Sequence, residues 1–203
     1  MLDNKIVILA ASLGGPALVN EILSGLNPSF DLPILVLQQM ESDFSEPLTQ
    51  AWSKTSGLRL VRLSGEADIL SGRAYVIPYA AYPVISRQGQ GFYAHCRALE
   101  PGENVIRQWE RAIEACLKKY EVILVLLSNA GLDIYQLDES LRVLREAEGL
   151  IIRCCSDGIE KDRNSSDNAN DSGWLEMDIN QIVEYLNRIS RGKFVSARDE
   201  PGH

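Results

Sequence analysis

Two uninterrupted apolar runs, IVILAA (6–11) and VILVLL (122–127), constrain the fold more than any other feature of the chain. Each has the length of a strand, and neither alternates with polar residues. A strand of that kind has to be covered on both faces, which is the situation of a parallel strand inside an α/β sheet. The surrounding sequence supplies the covers. KIVILAA (5–11) leads through the tight turn SLGG (12–15) into a helix that Pro16 opens and Gly25 closes. PILVLQ (33–38) reads as a second strand, FSEPLTQAWSKTS (44–56) as a helix opening, and LRLVRL (58–63) as a third strand.

The texture then changes. GRAYVIP (72–78), PVISRQ (83–88) and GFYAHC (91–96) are short, with Gly89 between the last two, and read as an antiparallel insertion with a hairpin. Alternation resumes with a one-faced helix over 105–119, the strand VILVLL, a helix over 140–148 ended by Gly149, the strand LIIRCC (150–155) and a last helix over 178–190. The polar stretch 156–173 reads as a mobile loop and 191–203 as a frayed tail. The expectation is a single domain over 1–190: a three-layer, doubly wound, mostly parallel α/β sheet with a hairpin insertion. Right-handed crossovers bring the strand-to-helix loops to one edge, where such sheets do their chemistry. Three loops meet there: 12–15, 39–43 and 128–133.

Composition narrows the function. With 20 basic and 28 acidic residues the formal charge is −8, a sign that repels phosphate backbones and argues against nucleic acid. The apolar runs are too short to span a bilayer, and the chain enters a strand at once, leaving no room for a signal peptide. The four cysteines, Cys96, Cys116, Cys154 and Cys155, form no CxxC and read as free thiols of a cytoplasmic protein. Two histidines, His95 and His203, are too few for a histidine-rich metal site. Neither a metal nor an organic cofactor is implied.

Ser12, between a strand and a helix and followed by Gly14 and Gly15, has three readings: a helix cap, part of a phosphate-binding loop, or a nucleophile on a tight turn. A dinucleotide site wants GxGxxG and an acidic residue ending the second strand. The loop is AxSxGG instead, and the second strand ends in Gln38-Gln39. A phospho-accepting receiver would need acidic residues where Ala10, Ala11 and Ser12 stand. A glutamine at the sheet edge can orient a partner or donate a hydrogen bond. It cannot carry a proton back and forth at neutral pH.

Taken together, ASLGGP (11–16), VLQQMESDF (36–44), ADILSGRAYVIP (67–78) and SNAGLD (128–133) resemble the CheB family, the protein-glutamate methylesterases of bacterial chemotaxis. The family's corresponding motifs are AStGGP, VvQHMxxxF, LxxGxxYiaP and tGMGxDG, and the resemblance runs in order from Lys5 to Cys155. It implies a serine hydrolase acting on receptor glutamyl methyl esters, with chemoreceptor cytoplasmic tails or other chemosensory proteins as partners. The family's usual N-terminal receiver domain has no counterpart in this chain. By position, the nucleophile falls on Ser12, the triad aspartate on Asp133 and the histidine on Gln39, with Leu13, Gly14, Gly15 and Ala130 in the surrounding loops. Leu13 stands for a threonine, Ala130 for the methionine of the GMG loop and Ile134 for a glycine. The stretch that closes the family's site has no counterpart after Cys155. Without a histidine to orient, Asp133 also reads as a residue that caps a helix or binds its own loop's N–H groups. Two functional readings follow: a catalytically impaired member acting by binding or regulation, or a working methylesterase using Ser12 and Asp133 with an unidentified base. For the second, Glu41 and His95 are the candidates.

Overall fold

A computed structural model describes residues 4–40, 42–127, 137–155 and 173–190. Its framework is a parallel sheet built from β1 (Lys5–Ala11), β2 (Ile34–Gln38), β3 (Arg59–Arg62), β5 (Arg73–Val76), β8 (Glu121–Leu127), β9 (Leu150–Cys154) and β10 (Leu175–Met177). The strand order is β10-β9-β8-β1-β2-β5-β3. A second, antiparallel sheet holds β4 (Ala67–Ile69), β6 (Ala81–Gln88) and β7 (Gly91–Ala98) in the order β4-β7-β6. The helices are α1 (Pro16–Gly25), α2 (Ser45–Trp52), α3 (Val105–Leu117), α4 (Asp138–Glu146) and α5 (Ile179–Ser190).

The two apolar runs become the centre of the sheet. All seven residues of β1 are buried, as are the last six of β8. Their side chains divide by parity, as the pleat requires. Ile6, Ile8, Ala10, Val122, Leu124 and Leu126 enter one core with α3, α4 and the small sheet. Val7, Leu9, Ala11, Ile123, Val125 and Leu127 enter the other with α1, α2 and α5. Helices therefore cover both faces in three layers, as the sequence indicates. α3 is wedged between the parallel sheet and the small one, so its stripe of Ile106, Trp109, Ala112, Ile113 and Cys116 is buried.

Three local readings are corrected. The segment containing Arg73–Val76 is no part of the antiparallel insertion: it lies parallel between β2 and β3 in the main sheet. The hairpin itself stands as read, β6 pairing antiparallel with β7 around Gly89 at φ 60°. Two three-residue strands, β4 and β10, add an edge to each sheet and lack any periodic signal. Gly25 is not a left-handed terminator. It ends α1, the C-cap is Leu26, and a Cβ at Gly25 would come within 2.9 Å of Val183 Cγ1. The glycine is there so that α5 can pack closely on α1.

No helix among the described residues is long and apolar enough to cross a membrane. Cys96, Cys116, Cys154 and Cys155 form no disulfide among the described residues, and desolvation pushes the Cys96 thiol up to about 12. Among the described residues no three His, Cys, Asp or Glu side chains gather as a metal site would need. The expectations for 156–172 and for the tail 191–203 lie outside the described residues.

Candidate functional site

Register defines the site. Ala11 is paired on one side with Leu127 and on the other with Gln38, so β8, β1 and β2 end on one rung. The order of the sheet also reverses here: the chain builds outward from β1 through β2, then returns to β8 on the other side. Ser12 and Gln39 are the first residues beyond that rung. The Ser12 N–H donates to the Leu127 carbonyl at 3.2 Å, and the Gln39 N–H to the Ala11 carbonyl at 2.7 Å. Asp133, Ala130 and Glu41 lie outside the described residues.

The turn after β1 is closed by the Gly15 N–H donating to the Ser12 carbonyl at 2.8 Å. A Cβ at Gly15 would meet Ala11 Cβ at 2.5 Å and the Ser12 carbonyl oxygen at 2.9 Å, so only glycine permits so tight a return. Gly15 is also the N-cap of α1, with Pro16 in its first turn as expected, and no side chain caps that helix. Ser12 is therefore not a helix cap. Its side chain is buried, and its Oγ has no hydrogen-bond partner among the described residues. A hydroxyl held out of water with no structural bond is costly unless it has another use.

Gln39 is half-buried, and its side-chain amide does not hold Ser12 Oγ. The neighbouring Gln38, 2% exposed, is the one that binds: its Nε2 donates to the Ser12 carbonyl at 2.7 Å and to the Gln39 carbonyl at 2.9 Å. The sequence allows a glutamine at this edge to donate a hydrogen bond but does not say that Gln38, rather than Gln39, does so. The available signal was a polar side chain on the last rung of a strand buried on both faces, which has to find partners.

The far end of the loop after Gln39 is pinned by a second group the sequence did not single out. Asp43 accepts from the Ser45 N–H at 3.1 Å and from the Ser45 hydroxyl, and pairs with Arg62 of β3 at 2.6 Å. Arg62 Nε in turn donates to Ser45 Oγ at 2.6 Å. The Ser45 hydroxyl bond is the main cause holding the Asp43 carboxyl below its ordinary value, with the Ser45 N–H and Arg62 adding to it. A depressed carboxylate contributes stability above its unfolded pKa, and loses it as pH falls through the folded one. The stability difference between the parent and Asp43→Asn should therefore be constant near neutrality and close below about pH 4. Urea midpoints measured across that range test this.

His95 sits in β7 opposite Val84, in the small sheet and not in the sheet whose rung carries Ser12. Around the rung, Leu13, Phe44 and Tyr79 are 50%, 56% and 44% exposed. Leu13 follows β1, Phe44 caps the helix after β2 and Tyr79 follows β5, so the segments beyond these three neighbouring strands expose large side chains.

The family described as CheB methylesterase matches residues 7–155. A protein-glutamate methylesterase/protein-glutamine glutaminase of Carboxydothermus hydrogenoformans is 31% identical over 135 residues, covering 64% of this chain and 39% of its own length. A counterpart in Geobacter metallireducens is 30% identical over 152 residues, covering 73% of this chain and 42% of its own. The chain thus spans about two fifths of the length of these curated relatives. The crystal structure of the Thermotoga maritima CheB methylesterase catalytic domain superposes with a TM-score of 0.71 at 21% identity, covering 93% of this chain and all of that one. At that identity the superposition speaks for the fold.

Proposed function

Because the chain belongs to the CheB methylesterase family, we propose that it is a member whose hydrolysis is impaired, and which serves a chemosensory pathway by binding or regulation at the edge around Ser12. The observation that carries the reading is Gln39. In a serine hydrolase of this type a histidine takes the serine proton and later returns it to the leaving group. Gln39 occupies the family's histidine position, and an amide does not titrate where that exchange has to happen. Its side chain leaves Ser12 Oγ unengaged. Loss of the histidine from a comparable triad lowers kcat by about 2 × 10⁶, roughly 8 to 9 kcal/mol of barrier. Binding and oxyanion contacts alone leave about 10³ to 10⁴ over water, too little to reset a signalling state.

The relatives' names give the chemistry to consider: glutamyl methyl esters and glutaminyl amides of proteins. A protein carrying such side chains, chemoreceptor cytoplasmic regions above all, is the partner proposed here. Leu13, Phe44 and Tyr79 support binding, since large apolar groups are the usual anchors of a protein contact. The test is equilibrium binding to chemoreceptor-bearing membranes, comparing the parent with a Leu13→Asp/Phe44→Asp double variant. We expect saturable binding that weakens at least about tenfold in the variant. Equal binding by both proteins would remove this edge as the contact.

A further inference from the structure

We propose that Gln38 is a positioning residue of the Ser12 site, a clamp that sets the spacing between the turn carrying Ser12 and residue 39. The proposal rests on the reading that these two positions make up the site. Ser12 and residue 39 belong to neighbouring strand ends that separate as one chain turns into α1 and the other runs toward α2. The sheet ladder no longer ties them: the last backbone bond between the strands is that of the Gln39 N–H to the Ala11 carbonyl. Beyond it, the two remaining carbonyls, those of Ser12 and Gln39, are both held by one buried group, Gln38 Nε2, at 2.7 and 2.9 Å. The Ala11 carbonyl lies 3.5 Å from the same nitrogen, at the limit of bonding.

The orientation of this amide is fixed by its surroundings. Both Nε2 protons meet carbonyl oxygens, so a flipped amide would set its own oxygen against them at the same distances. Gln38 Oε1, by contrast, has no donor among the described residues. A buried amide that gives both donors to two backbone carbonyls is placed for those carbonyls. The Ser12 carbonyl is shared with the Gly15 N–H, so the clamp acts on the turn as a whole. Through that turn it fixes where Ser12 Oγ stands relative to the side chain at 39, whether the site binds or hydrolyses.

Amide hydrogen exchange on the full chain, without substrate or partner, decides the matter independently of what the site does. In the unmodified protein both Gln38 side-chain protons should exchange more slowly than those of the exposed Gln88. In Gln38→Met, which keeps length but has no donor, the Gly15 and Gln39 backbone amides should exchange about tenfold faster or more, with Ile8 and Val125 in the sheet centre unchanged. Unprotected Gln38 protons in the parent would overturn the proposal even if the variant did not fold. So would unchanged exchange at Gly15 and Gln39, or an increase that Ile8 and Val125 share in proportion, which would mark a general stability effect. If Gln39→His hydrolyses ester, adding Gln38→Met should lower kcat about tenfold at unchanged KM. A change confined to KM would also count against the clamp.

Discussion

The Gln39→His protein is expected to release methanol from methylated chemoreceptor membranes at least about a hundredfold faster than the parent. The scaffold for that gain is already built. Ser12 and residue 39 follow directly from paired strand ends, Gly15 closes the turn behind the serine, and Gln38 ties the two together. Among the described residues Ser12 Oγ has no competing structural bond to give up. Recovery should stay below the roughly 10⁶-fold worth of a native histidine, because on the proposed reading Leu13 puts no hydroxyl beside Ser12. Leu13→Thr added to Gln39→His should therefore raise the rate further. A folded Gln39→His protein as inert as its parent would mean that the loss extends beyond the base.

The largest expected effect on stability is at Trp109. It is 1% exposed on α3, where the helix is wedged between the two sheets. Truncation to alanine should cost about 3 to 5 kcal/mol, a large share of the 5 to 15 kcal/mol typical of a domain. The indole Nε1 has no partner among the described residues. Trp109→Phe sheds that unpaired donor while keeping most of the volume, and should cost about 1 to 2 kcal/mol. Denaturant midpoints at unchanged m values would measure both. A midpoint for Trp109→Ala within error of the parent would contradict the wedged placement of α3.

How far the sequence could be read depended on how each element is buried. β1 and β8 were legible because a strand covered on both faces has to be apolar at every position, and α3 and α5 because one buried face repeats at helical spacing. Arg73–Val76 reads as part of the insertion yet pairs in the main sheet, since four residues carry no information about which neighbours they pair with. β4 and β10, three residues each and partly exposed, have no pattern to find. The reading of Gly25 failed for a different reason. Local chemistry suggests a helix terminator, while the actual constraint is Val183, far away in sequence. At the site, the sequence singled out Ser12 and Gln39 by position. Gln38, Asp43 and Arg62 hold the loops through contacts across strands, which spacing along the chain does not reveal.

Impaired hydrolysis is tested most directly by methanol release from methylated chemoreceptor membranes by the unmodified protein and by Ser12→Ala. Equal release at the background rate is expected, since a serine without a base contributes nothing measurable to turnover. Release by the unmodified protein that disappears in Ser12→Ala would contradict it and make this chain a working esterase with a base other than residue 39.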